Sequence, residues 1–210
     1  MKKIIYVLAL SFLFSRGPTF AADSATNRID QTFRLGQKSG NHVMYKVSSP
    51  LVFEFPGEKW TFGLTYGSGK HNYSYNDYVL STDTTSTKSM DIKFSTSELT
   101  GRYYIGNSFN IPFGFANYKI SYPDWVYSGV TYDVEYSITQ LNYGIGNEWT
   151  YDWGGYLGID WYQSGFRSDK TTITLKTGTE TATTLAEAKK TSTDNKAFSG
   201  SFLITFGFGF

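Results

Sequence analysis

Residues 196–210 read K-A-F-S-G-S-F-L-I-T-F-G-F-G-F, with apolar side chains on alternate positions. Phe202, Ile204, Phe206, Phe208 and Phe210 share one face of an extended chain; Ser201, Leu203, Thr205, Gly207 and Gly209 share the other. A side-chain period of two is that of a β-strand with one apolar face and one small or polar face. Similar runs recur upstream. Trp60, Phe62, Leu64 and Tyr66 alternate with Thr61, Gly63, Thr65 and Gly67, and Leu99, Tyr103 and Ile105 with Glu98, Thr100, Arg102 and Tyr104. Phe109, Ile111, Phe113 and Phe115 alternate with Asn110, Pro112, Gly114 and Ala116. Leu141, Tyr143, Ile145 and Trp149 alternate with Gln140, Asn142, Gly144, Gly146 and Glu148, and Leu157, Ile159 and Trp161 with Gly158, Asp160 and Tyr162. Each run approaches the roughly 9–11 residues that a tilted strand needs to cross a bilayer. No stretch of helical period has comparable length.

The predicted connections alternate in length. Gly106-Asn107-Ser108 and residues 150–154 are short and carry the Gly, Asn and Asp of tight hairpins. The others, about 76–90, 121–131 and 167–195, are long and polar. Short turns at one end and long loops at the other are what a membrane barrel requires. Six strands follow Gly57, and closure around a filled interior typically takes about eight. The missing pair is assigned to residues 29–35 and 42–55, with a turn at 37–41 between them and another at 55–58. Pro50 counts against the second strand, because proline cannot donate to a ladder. The alternative is that residues 22–41 form a periplasmic leader.

The first residues predict export. Met1-Lys2-Lys3 is a short basic start, residues 4–14 form an apolar run too short for a mature membrane helix, and Gly17-Pro18 break it. Thr19-Phe20-Ala21 suits signal peptidase, which places cleavage after Ala21, with Ala22 the next candidate. The expected organisation is a signal peptide at 1–21, an N-terminal segment at 22–57 supplying the first two strands, and the rest of the barrel at 58–210. Losing Lys2, Lys3 and Arg16 leaves 16 basic against 18 acidic side chains, a formal net charge of −2. That near balance argues against nucleic acid as a partner. With no Cys, an exported chain relies on burial, backbone pairing or a membrane for stability. Tyr and Trp cluster at predicted turns and loops (Trp149, Tyr151 and Trp153; Tyr122, Trp125 and Tyr127; Tyr73, Tyr75 and Tyr78), as expected of two membrane interfaces.

A chain that ends in Phe with apolar residues at Phe202, Ile204, Phe206 and Phe208 resembles the C-terminal signature of bacterial outer-membrane barrels. The resemblance implies that the barrel assembly machinery reads these positions. The stretch from Gly144 to Trp149 and from Gly155 to Trp161 resembles a hairpin frequent in outer-membrane β-barrel proteins. As a whole the sequence is similar to the small eight-stranded barrels of the OmpX, OmpA-barrel and OmpW type. It implies an all-β, antiparallel up-and-down transmembrane barrel in the bacterial outer membrane, with outer-membrane lipid as its surroundings and a monomeric state, and says little of activity.

In that arrangement Glu98, Arg102, Glu148 and Asp160 face inward, because Arg or Lys facing lipid at mid-depth costs about 2–4 kcal/mol. They form either a polar plug, with Arg102 bridging carboxylates, or a selectivity site in a narrow channel; an eight-stranded interior is just wide enough to fill, which favours the plug. The inward glycines at 63, 67, 114, 144, 146, 158, 207 and 209 either leave water space or accommodate Tyr104, Tyr118 and Tyr162. No cofactor, metal or catalytic residue is expected. The chain has two His, His42 and His71, and no Cys to complete a metal set. Outer-membrane lipid A acyltransferases and deacylases use a His with Ser and an acid, but Ser74 falls on the opposite strand face from His71, leaving only Asp77 or Asp91 for a loop to bring near. In the 167–195 segment, Thr172, Thr174 and Lys176 alternate with Ile173, Leu175 and Thr177, which would prolong a hairpin and expose strand edges to an extracellular partner. Residues 185–190 have the composition of one helical turn. The expected function is a non-enzymatic surface barrel working through its outer loops, in envelope integrity or adhesion, with a narrow channel and a lipid-modifying enzyme as alternatives.

Overall fold

The computed structural model describes residues 24–40, 47–79, 84–186 and 202–210. The predicted signal peptide lies outside the described residues. Within them, helix α1 (Ser24–Ile29) precedes strands β1 (Arg34–Gly40), β2 (Leu51–Pro56), β3 (Trp60–Val79), β4 (Thr84–Tyr104), β5 (Phe109–Tyr127), β6 (Val130–Thr150), β7 (Gly155–Thr177) and β8 (Leu203–Gly209). Each pairs antiparallel with the next, and β8 returns to β1, so the sheet closes into a barrel. The seam runs from Arg34 opposite Gly209 to Gly40 opposite Leu203. It is clamped at the last residue, where Thr32 N donates to Phe210 O at 2.6 Å and Phe210 N donates to Phe33 O at 2.9 Å.

The strands differ greatly in length. β8, β1 and β2 have 7, 7 and 6 residues, whereas β3 to β7 have 19 to 23. The result is a low rim on one side and a tall five-stranded wall on the other. A 21-residue strand such as β6 extends roughly 70 Å, far more than an apolar band of about 25 Å requires.

The wall reverses its polarity part-way up. Along β6, Leu141, Tyr143 and Ile145 point outward and are exposed, while Gln140, Asn142, Glu148 and Thr150 are buried inside. Beyond Gln140 the same inner face continues as Ile138, Tyr136, Val134 and Tyr132, all no more than 1% exposed, and the outer face as Thr139, Ser137, Glu135 and Asp133. β4 changes likewise, from inward Arg102, Glu98 and Thr96 to inward Phe94, Ile92 and Met90. On β5, outward Phe115 gives way to Asn117 and Lys119, and inward Asn110 to Tyr118, Ile120 and Tyr122. The zone near the short turns is therefore apolar outside and polar inside. The far zone is apolar inside, where these side chains join Trp125, Val130 and Leu203 in one core.

Several expected boundaries shift. The first strand begins at Arg34, not residue 29; Ile29 ends α1, and residues 37–40, assigned to a turn, lie in β1. The second begins at Leu51, immediately after Pro50, which removes the conflict between proline and the ladder. Most of the expected loops are strand. Residues 84–90 belong to β4, residues 121–127 to β5 and residues 167–177 to β7. The β5–β6 connection is only Ser128-Gly129, whose φ values of 50° and 79° form the left-handed pair of a tight hairpin. A register shift between Tyr122 and Trp125, with Asp124 at φ 54°, twists the approach to this turn. There the Asp124 carboxylate accepts from Lys176 Nζ at 2.6 Å and draws the ammonium pKa upward. Residues 182–186 form a helical turn earlier than expected, and Thr184 hydrogen-bonds Tyr132 at 2.8 Å over the apolar core.

Because Gly129 sits at φ 79°, Gly129→Val should lower stability by about 1–2 kcal/mol through left-handed strain. A urea titration of the refolded protein, followed by tryptophan fluorescence, should show the midpoint fall without loss of the folded baseline.

Candidate functional site

The polar interior is built in layers from the turn end upward. α1 closes that end by reaching all three short turns. Arg28 donates to Gly57 O, Glu58 O and Asn107 O at 3.0, 2.8 and 3.2 Å and lies 3.5 Å over the Tyr104 ring. Ala25 N donates to Asn107 Oδ1 at 2.7 Å, Thr150 N to Ser24 Oγ at 2.9 Å, and Gln31 Nε2 to Gly154 O at 3.2 Å. A six-residue helix is too short to persist alone, so these bonds hold it as a stopper.

Above the stopper, Glu148 gathers partners from β1 and β4. Its Oε1 accepts from Arg34 Nη1 and Tyr104 OH, each at 2.6 Å, and its Oε2 lies 3.4 Å from Arg102 Nε. Arg34 also bonds Gln31 Oε1 and Thr150 Oγ1 at 2.6 and 2.7 Å. Arg102 grips Asp160 through two nitrogens, at 2.6 and 3.2 Å, and Asn110 Oδ1 at 3.1 Å. The next layer is separate: Lys38 Nζ donates to Glu98 Oε2 at 2.6 Å, Tyr118 OH to Glu98 Oε1 at 3.1 Å, and Asn142 Nδ2 to Tyr118 OH at 3.2 Å.

The sequence-predicted residues Glu98, Arg102, Glu148 and Asp160 are thus all buried inside. Arg102 meets Asp160 and Glu148, but Glu98 belongs to the Lys38 layer instead. Phe206, Phe208 and Phe210 are exposed on the outer face, with Phe202 and Ile204 partly covered. Sequence reasoning missed Arg28, Arg34, Lys38 and Glu54. The signal for Glu54 was present, since Val52, Glu54 and Pro56 alternate with Leu51, Phe53 and Phe55. Arg34, Gly36 and Lys38 alternate with Leu35 and Gln37 too weakly to stand out.

Among the described residues, the buried charged side chains are Arg28, Arg34, Lys38 and Arg102 against Glu54, Glu98, Glu148 and Asp160, a neutral set. Beside Arg102 and Asp160 there is little room for water. The space bounded by Lys38, Glu54, Thr65, Arg102 and Asp160 amounts to about 10 Å³, no more than a single molecule needs. Two of the atoms at its edge, Glu54 Oε2 and Thr65 Oγ1, lack a hydrogen-bond partner among the described residues. Gly63 and Gly209 give close approach, not space: a Cβ at Gly209 would strike the Gln31 side chain, and one at Gly63 would meet Glu54 Cγ at 2.6 Å, whereas one at Gly158 would make only ordinary contact.

Other candidate chemistry stays apart. His71 pairs across the ladder with Ile92, and the neighbouring Asp91 accepts from Asn72 at 3.1 Å. Asp77 pairs with Ser86, six residues up an extended strand from His71, or about 20 Å.

No family model matches the chain, and no curated protein matches it. Among solved structures, the crystal structure of Acinetobacter baumannii CarO is similar over 87% of this chain and 99% of that one, at 11% identity and a TM-score of 0.38.

Losing one member of a buried ion pair strands the other, at about 3–5 kcal/mol, whereas replacing both with apolar groups is nearly neutral. Lys38→Met should therefore destabilise the barrel by about that amount and Lys38→Met/Glu98→Leu by much less. Guanidinium unfolding of both proteins reads the difference.

Proposed function

We propose that the chain is a non-enzymatic bacterial outer-membrane barrel of the OmpX, OmpA-barrel and OmpW kind, exported by its first 21 residues and sealed along its axis. The observation that carries this reading is the outer belt. Leu51, Tyr66 and Phe166 are 69, 66 and 73% exposed, and Leu35, Phe62, Leu99, Phe115, Leu141 and Phe208 continue the belt around a closed ring. An exposed apolar surface that runs around a whole barrel is incompatible with water and suited to lipid. The wall above the belt projects outward from the cell, because the short turns belong on the periplasmic side.

A conducting path is disfavoured by three stacked obstacles: α1, the ion-paired layers and the apolar core of the far zone. The enzyme alternative is disfavoured by the isolation of His71. What remains is the projecting wall, a stiff sheet with polar outer positions that meets other surface components and shields the envelope. The Thr-rich outer part of β7, paired with β6 up to Thr177, is the segment offered to an extracellular partner.

The test is electrical. The refolded protein in a planar bilayer should give no reproducible conductance steps, although protease protection shows it inserted. Steps that change with Arg102→Ala would overturn the sealed barrel in favour of a channel.

A further inference from the structure

Just above the belt, on its outer surface, three strands bring together a compact group of lysines and serines. Ser68 on β3 pairs with Ser95 on β4, which pairs with Lys119 on β5; one rung outward, Lys70 pairs with Lys93, which pairs with Ser121. These residues line an open depression of about 510 Å³ on the sheet surface.

Among the described residues Lys70 and Lys93 have no ion-pair partner, whereas Lys119 is engaged by Glu135 at 2.6 Å and the Asp91 carboxylate, bonded to Asn72, lies one rung further out. Lys70 and Lys93 stand directly opposite each other, and like charges so placed destabilise a ladder. An anion between them turns that repulsion into attraction. The height identifies its source. Lys70 is four residues beyond the belt residue Tyr66, and Lys119 four beyond Phe115, about 13 Å along each strand. Long lysine stems there reach back to the headgroup level.

We propose that Lys70 and Lys93, with Lys119 and the serines beside them, bind a phosphate carried by a phosphorylated glycolipid of the outer leaflet. The assignment rests on the outer-membrane reading above. The phosphate accepts from the ammonium groups and serine hydroxyls, while the acyl chains lie against Tyr66, Leu99 and Phe115.

The test uses the full mature chain refolded into phosphatidylcholine vesicles, titrated with fluorescent diphosphoryl lipid A. Saturable binding by the wild type, about thirty-fold weaker in Lys70→Gln/Lys93→Gln and unchanged in Lys88→Gln, is the expected result. The charge-keeping Lys70→Arg/Lys93→Arg protein should bind as the wild type does. Equal binding by the Gln double variant would overturn the site, as would loss of binding in the Arg variant. Competition by millimolar inorganic phosphate alone would overturn the lipid source in favour of a free anion. A wild type that never inserts into the vesicles would overturn the membrane reading itself, and the site with it.

Discussion

A closed ring this narrow leaves no bulk water for the side chains it encloses, and the rest of the structure follows from that constraint. A charge inside must meet an opposite charge, and a polar group must find a partner. Three of the four buried acids follow this rule: Glu148 is shared among Arg34, Arg102 and Tyr104, Asp160 is held by Arg102, and Glu98 by Lys38, while no ion pair reaches Glu54 among the described residues. Even α1 belongs to this scheme, since Arg28 caps the Tyr104 ring and brings the fourth buried positive charge to match four acids.

The same constraint explains why the wall reverses its polarity. On the outer-membrane reading proposed above, the lower zone meets lipid, and there the apolar side chains go outward and the polar ones inward. Where the outer face meets water, the cheaper arrangement is an ordinary apolar core, and Tyr132, Val134, Tyr136 and Ile138 supply it. One set of strands thus serves two solvents without a change of backbone. The tall zone also covers the ion-paired zone from above. The lysine group sits at the junction, where the outer face changes from aromatic to polar.

The barrel was legible in the sequence because a period of two with a one-sided apolar face is hard to mistake in segments such as 202–210 and 109–116. Its upper half was not. Along β6 the apolar residues run on even positions to Ile138 and on odd positions from Leu141, so the phase slips by one and the outer part reads as an irregular loop. The phase slip was itself the signal, recognisable only if both phases are allowed in one strand. Glu98, Arg102, Glu148 and Asp160 were readable as inward by parity, but their pairing was not, because it depends on register between strands far apart in sequence. Arg34 was hidden by the expectation that residues 29–35 form a strand, and Arg28 because α1 is held by contacts distant in sequence, to the turns at Gly57 and Asn107 and to β6.

The absence of Cys makes one measurement direct. Single cysteines placed one at a time from residue 134 to residue 145 on β6, in the protein inserted in vesicles, can be spin-labelled and scored for collision with oxygen and with a water-soluble nickel chelate. The account predicts nickel access at residues 135, 137 and 139, oxygen access at 141, 143 and 145, and neither at the even positions between them. Nickel access at 141 and 143, or oxygen access at 135 and 137, would contradict the reversal of polarity on which the whole account stands.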